Sequence, residues 1–174
     1  MRADARRNRE RIVTTALDLF AERGPGVSME EIAQAAGLGV GTLYRHFPDR
    51  RALVDDLAAS TLEGLRAYIR AQLDARAGTH WEVLLQVVRY CTGQPLALIT
   101  SLAGSPPVPA SRAGLVGEID VLLAEIAGQA QKEGSMRRDL APAQVVALLN
   151  VMVCRPGAHF DDPLTTVMLD GLRA

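Results

Sequence analysis

Apolar residues along this chain recur at intervals of three and four positions. In the first segment Val13, Ala16, Leu17 and Phe20 follow the i, i+3, i+4, i+7 spacing that places side chains on one face of an α-helix. Alternation at every second position, which would indicate strands, is nearly absent. The pattern predicts an all-α protein with no sheet.

Glycine and proline divide the chain into about nine helical segments. Residues 24–26 end the first segment, Gly37 ends the second, and residues 47–49 precede a long fourth segment. Ser28 and Glu31 form the S-x-x-E pattern of a capping box, which marks the start of the second. The predicted segments are about Ala5–Arg23, Ser28–Ala36, Val40–His46, Arg50–Ala75, Thr79–Tyr90, Leu96–Leu102, Ser111–Gln131, Pro142–Val153 and Pro163–Leu172.

The composition is that of a globular protein. The 174 residues are 48% hydrophobic and 22% charged, and only 4% are aromatic, so the core is expected to be aliphatic. The long uncharged stretch Cys91–Ser111 contains several prolines and glycines and is therefore not expected to cross a membrane. The N-terminus lacks a secretory pattern, and Cys91 and Cys154 are far apart, so we expect a cytoplasmic protein with reduced thiols.

Charge is distributed unevenly along the chain. Residues 1–53 contain nine arginines and seven acidic residues, a balance of +2, whereas the remaining residues have a balance of −3. The first eleven residues alone have a balance of +3. A basic N-terminal segment ahead of a compact domain is one electrostatic feature of nucleic-acid binding, although a solvated terminus has the same composition.

The two short segments between Met29 and His46 have the spacing of a helix-turn-helix motif. Ala33 is small enough for a crossing helix to approach, Gly37 tolerates a positive φ in the turn, and Leu43 returns an apolar side chain to the interior. Many helical hairpins share this spacing. On spacing alone, DNA binding and an ordinary helical hairpin both remain open.

The amino-acid sequence of this region is a more specific signal than the spacing of its apolar and glycine residues. Residues 32–53 read IAQAAGLGVGTLYRHFPDRRAL, which closely resembles the signature of the TetR family of bacterial transcriptional regulators. The resemblance is strong from about Arg9 to Leu57 and beyond that rests on helix lengths and the C-terminal LDGLR. It implies an all-helical homodimer with a DNA-binding domain at 1–48 (motif about 29–48) and a ligand-binding and dimerisation domain at 49–174.

The resemblance assigns roles to residues of the motif. Val40–His46 would be the recognition helix in the major groove. Arg45 would bind guanine O6 and N7, and the hydroxyls of Thr42 and Tyr44 would contact phosphates. Arg50 stands where the family usually has lysine and would keep a phosphate contact, and Ser28 and Met29 would present backbone amides to a phosphate. The residues expected at DNA are Ser28, Met29, Gly39, Val40, Thr42, Tyr44, Arg45, His46 and Arg50.

The resemblance also implies a small-molecule pocket among the middle helices and a dimer interface in the last two. Few charged residues fall at interior positions, so the effector is expected to be neutral or mostly apolar, and no cofactor or metal is expected. Pocket candidates are Leu65, Tyr68, Trp81, Leu84, Val88, Cys91, Leu98 and Leu102. Interface candidates are Val145, Leu148, Leu149, Met152, Leu164, Val167 and Met168. Plain core packing of each pocket candidate, and an interior position of the last helices within the monomer, both remain open.

Two other classes of function fit the sequence less well. An enzyme is disfavoured because the chain has three histidines and no HExxH, GxSxG or P-loop pattern. A helical binding or scaffold module without DNA binding stays open because Gly39 and Gly41 weaken the predicted recognition helix. The preferred prediction is a ligand-responsive regulator, most commonly a repressor in this family, that binds a pseudo-palindromic operator as a homodimer.

Overall fold

A computed structural model describes residues 2–75, 78–103 and 109–174. The described residues form nine α-helices and no strand beyond one isolated bridge, which confirms the predicted all-α class. The helices are α1 (Arg2–Arg23), α2 (Met29–Ala35), α3 (Val40–His46), α4 (Arg50–Ala75), α5 (His80–Thr92), α6 (Leu96–Ala103), α7 (Ala110–Glu133), α8 (Pro142–Val153) and α9 (Pro163–Leu172).

Helix ends follow the capping chemistry of the sequence closely. The ranges of α3, α4, α8 and α9 agree with the prediction, and Ser28 and Thr79 form capping boxes before α2 and α5. α1 begins earlier than expected, at Arg2. α7 continues through its three internal glycines until Gly134, whose φ of 79° ends the helix in the left-handed conformation.

The chain divides into two compact units. The first comprises the described residues within 1–59 and 98–106. Its core packs α1, α2, α3 and the start of α4 around aliphatic side chains together with Phe20 and Phe47. The grouping places residues 50–59 of α4 with the N-terminal helices, whereas the sequence analysis placed the domain boundary after Pro48.

The second unit comprises the described residues within 60–97 and 107–174. α5, α7 and α8 pack on one another and α9 packs on α8. Trp81 is 6% exposed, and the Arg173 guanidinium lies 5.6 Å from the centroid of its ring. Met136 and Arg173 form the isolated bridge, which ties the end of the chain to the turn before α8. No described helix is both long and apolar enough to cross a membrane.

Candidate nucleic-acid interface

The N-terminal end of α2 is fixed by hydrogen bonds between Ser28 and Glu31. The Ser28 amide donates to Glu31 Oε2 at 2.8 Å, and the Glu31 amide donates to Ser28 Oγ at 3.2 Å. The bond from the Ser28 amide lowers the pKa of Glu31 because it stabilises the charged carboxylate. The Ser28 amide, predicted to face a phosphate, therefore has an acceptor within the free protein. The Met29 side chain is buried in the core of the first unit.

The turn between α2 and α3 depends on Gly37, whose φ is +63°. This left-handed conformation favours glycine because a Cβ would crowd the backbone. The Leu38 amide donates to the Ala33 carbonyl at 2.9 Å across the turn. Arg11 of α1 donates to the Ala36 carbonyl, and a Cβ on Gly37 would lie 3.0 Å from Arg11 Nη2. Arg11 thus holds the turn that leads into α3, a role that the sequence analysis did not anticipate.

Packing fixes which face of α3 points outward. Leu43 is fully buried, and Phe47 directly after the helix is 2% exposed. Ala33 of α2 is also fully buried, as the predicted motif requires. The remaining predicted contacts on this helix lie on its outer face, where Gly39, Val40, Tyr44 and Arg45 are exposed and Thr42 and His46 are half-buried.

Tyr44 joins α3 to α2. Its hydroxyl donates to Glu30 Oε1 at 3.1 Å, and this hydrogen bond raises the pKa of Tyr44 above its usual range. The ring remains exposed. A phosphate contact by this hydroxyl, which stays a prediction, would compete with the Glu30 carboxylate.

Arg45 and Arg50 make different kinds of contact in the free protein. Arg45 donates to two atoms of its own helix and is exposed. Arg50 donates to the carbonyls of Pro25 and Val27, and its guanidinium lies 4.7 Å from the centroid of the Phe20 ring. These contacts tie the start of α4 to the segment between α1 and α2. A phosphate contact by Arg50 stays a prediction.

The basic N-terminal segment is helical rather than a loose arm. Two exposed ion pairs lie within α1. Arg6 Nε is 3.5 Å from Glu10 Oε1, and Arg7 Nη2 is 2.5 Å from Asp4 Oδ1. Arg9 pairs with Asp56 of α4. Exposed ion pairs of this kind contribute little to stability.

The predicted pocket residues are divided between the two units. Tyr68 is half-buried and stacks on Tyr90 with ring centroids 4.2 Å apart. Leu98 and Leu102 pack against the core of the first unit. The other five are buried in the core of the second unit, and they are Leu65, Trp81, Leu84, Val88 and Cys91. Burial raises the pKa of the Cys91 thiol to about 12, with a smaller contribution from Cys154.

The predicted interface residues fall into two groups. Leu148, Leu164 and Val167 are exposed to 37%, 48% and 68%. Val151, which the sequence analysis did not include, is 66% exposed. Met168 is partly buried against the core of the second unit, and the remaining predicted residues, Val145, Leu149 and Met152, are buried within it.

One solved structure aligns with nearly the whole chain. The crystal structure of the TetR transcription regulatory protein from Mycobacterium vanbaalenii is 32% identical, covers 99% of this chain and 99% of that chain, and has a TM-score of 0.72. The chain belongs to the TetR family. The family assignment made from residues 32–53 is confirmed.

Other relatives agree with the TetR assignment. The family model described as bacterial regulatory proteins, tetR family, matches residues 12–57, which include α2 and α3. An HTH-type transcriptional regulator of Staphylococcus aureus (strain USA300) is 52% identical over 54 residues, which are 30% of this chain and 29% of that protein. This curated relative is therefore matched over less than a third of its length.

The TetR-family fold extends to more distant proteins. The ketosteroid transcriptional regulator KstR2 of Mycobacterium tuberculosis is 23% identical, covers 95% of both chains and has a TM-score of 0.66. At this identity the similarity shows a shared fold.

Proposed function

We propose that this protein is a ligand-responsive repressor that binds a pseudo-palindromic operator as a homodimer. In this proposal α3 enters the major groove, and a mostly apolar small molecule bound in the second unit releases the DNA. The protein would act in the cytoplasm, where its operator is.

The outer face of α3 is the observation that carries the proposal. Leu43 is fully buried beneath this face, while Val40 and Tyr44 are exposed to 39% and 40%. Arg45 is exposed beside them and offers a planar set of donors that suits guanine O6 and N7. A rigidly seated helix with an apolar, a hydroxyl and a guanidinium group outward has the chemistry of direct readout in the major groove.

Exposed apolar residues on α8 and α9 support a homodimer. Leu148, Val151, Leu164 and Val167 are large aliphatic side chains that the monomer leaves in water. Burying such residues against a second copy removes apolar area from solvent. A two-fold dimer presents two recognition helices, which matches a pseudo-palindromic site.

The aliphatic interior of the second unit favours a mostly apolar effector. The effector would release the DNA if it favours a conformation in which α4 has moved. In that conformation the α3 helices of the two protomers would no longer match successive major grooves. Such coupling is typically about 1–3 kcal/mol and is reciprocal, so DNA must weaken effector binding by the same factor that the effector weakens DNA binding.

Fluorescence anisotropy on DNA flanking the protein's own coding sequence tests the proposal. We expect saturable binding that weakens steeply with salt, because phosphate contacts release counterions. Arg45→Ala and Tyr44→Ala should weaken it. Arg70→Ala is the matched control, because Arg70 is exposed on α4 in the second unit.

Two results would contradict the proposal. Binding equal to that of a random duplex, both for the flanking DNA and for sequences recovered by selection from random DNA, would favour a helical binding or scaffold module. Equal losses in Arg45→Ala and Arg70→Ala would indicate that α3 does not make the contact.

A further inference from the structure

The Arg45 side chain lies back along its own helix. Its Nε donates to the Gly41 carbonyl at 3.1 Å, and its Nη2 donates to Thr42 Oγ1 at 2.9 Å. These acceptors are four and three residues earlier in α3. Because helical side chains lean toward the N-terminus, the guanidinium lies about one turn closer to that end than its Cα does. The N-terminal end of a recognition helix is the end that approaches base edges.

The hydrogen bonds leave one edge of the guanidinium free for a ligand. An arginine has five N–H groups, and Arg45 uses the one on Nε and one of the two on Nη2. The outer edge therefore still carries one N–H on each terminal nitrogen. Two parallel donors at this edge match the O6 and N7 acceptors of guanine.

Thr42 is the side chain that fixes this orientation. It is half-buried and β-branched, so its hydroxyl has few rotamers in a helix. The oxygen accepts from Arg45, while the hydroxyl hydrogen remains available for a phosphate. One residue can thus link the register on the DNA backbone to the orientation of the base-reading arginine.

We propose that Thr42 is a positioning residue that holds Arg45 in the orientation needed to read a guanine, and so sets the preference at one base pair of each half-site. The inference rests on the proposed operator binding. Holding the guanidinium before contact also reduces the conformational entropy that binding must remove.

The test compares Thr42→Val with Thr42→Ser. Valine keeps the branched shape and removes the acceptor, whereas serine keeps the hydroxyl. Affinities are measured for the operator and for duplexes in which each base pair is changed in turn, and Arg45→Ala identifies the position that Arg45 reads. We expect wild-type protein to discriminate there by roughly 5- to 150-fold, the range of a good bidentate pair. Thr42→Val should discriminate there only a few-fold, and Thr42→Ser should restore the preference.

A second measurement needs no DNA. ¹⁵N relaxation of the Arg45 Nε–H group in the free protein should report an ordered side chain in wild type and in Thr42→Ser. In Thr42→Val the same group should become more mobile, although the Gly41 carbonyl still accepts from Nε, while α3 amides keep their protection. This readout supports the positioning contact even before an operator is known.

The outcomes are distinct. Full discrimination in Thr42→Val would overturn the inference. A uniform loss across all duplexes with a shallower salt slope would also overturn it, because Thr42 would then act through a phosphate alone. If wild-type protein shows no sequence preference on any duplex, the proposed function fails and the base-reading role fails with it.

Discussion

The Tyr44 hydroxyl donates a 3.1 Å hydrogen bond to Glu30 Oε1, so a residue expected at the DNA backbone is held by a carboxylate of the neighbouring helix. The contact joins α2 to α3 in the free protein. It also places a negative charge beside the surface that is proposed to meet phosphates. Binding of DNA would therefore exchange one acceptor of Tyr44 for another.

Glu30→Gln should strengthen DNA binding by roughly threefold to tenfold at low salt, because it removes a carboxylate that would repel the DNA phosphates. The gain is small because solvent and salt screen the repulsion. The pKa of Tyr44 should fall toward its ordinary value of about 10, because the acceptor of its hydrogen bond would be a neutral amide and no longer a carboxylate. Anisotropy and a ¹³C NMR titration of the tyrosine ring measure the two effects. Glu63→Gln, at an exposed site on α4, is the control. An unchanged Tyr44 pKa would contradict the assigned contact.

Gly37→Ala should destabilise the first unit by about 1–2 kcal/mol, the usual cost of forcing a residue with a Cβ into the left-handed region. The new Cβ would also lie 3.0 Å from Arg11 Nη2, so the contact that holds the turn would shift. Urea unfolding followed by circular dichroism measures the loss. Gly26→Ala is the matched control, because its φ is not positive and a Cβ there meets nothing within 4 Å. Equal stability of the two variants would refute the role of Gly37.

Val151→Glu combined with Val167→Glu should convert the proposed homodimer to folded monomers. Both side chains are exposed in the monomer, so the two changes would place four charges in the proposed dimer interface. Sedimentation velocity measures the change in mass. Ala67→Glu, at an exposed site on α4, should leave the dimer intact. By contrast, Leu149→Glu should unfold the second unit, because Leu149 is 3% exposed. A dimer that survives the double change would exclude this face.

Asp162→Asn should make the second unit less stable at neutral pH and flatten the acid limb of its unfolding curve. Asp162 caps α9 by accepting a 3.0 Å hydrogen bond from the Thr165 amide. It also accepts a 2.9 Å hydrogen bond from the His159 amide and forms an ion pair with Arg155. The bond from the Thr165 amide is the main cause that lowers the Asp162 pKa. Because the folded pKa is depressed, this stabilisation is present above the unfolded pKa of about 3.9 and is lost as pH falls further.

Thermal unfolding between pH 7 and pH 2 measures the Asp162 effect. Below about pH 4 the Tm of wild-type protein should fall by several degrees more than the Tm of the variant. Asp161→Asn, one residue earlier in the same loop, provides the control. Parallel pH curves for wild type and Asp162→Asn would show that the cap does not contribute.

The sequence predicted helix positions well where local chemistry decides them. Pro142 and Pro163 open α8 and α9 at their first helical positions, and Ser28 caps α2 through its hydroxyl. Each signal acts within one turn of the chain. α7 was also predicted as one long helix, and it continues through its glycines because packing of residues such as Leu123 and Ile126 outweighs their weak helix propensity.

The face of a helix that meets solvent was harder to predict. Along α8, Leu148 and Leu149 are equally apolar, yet one is 37% exposed and the other 3%. The packing of α5, α7 and α9 against α8 distinguishes them. The same limit applies to arginine, since nothing in the sequence around Arg50 predicted that its guanidinium donates to two backbone carbonyls. Long-range partners of this kind leave no local pattern.

Trp81 gives this protein a built-in optical label for one of its two units. It is the single tryptophan of the chain, and it is 6% exposed within the second core. Its fluorescence emission changes when that core unfolds and does not report on the first unit. The far-ultraviolet circular dichroism signal, by contrast, comes from the helices of both units. The difference between the denaturation midpoints measured by fluorescence and by circular dichroism would therefore show how independently the first and second units unfold.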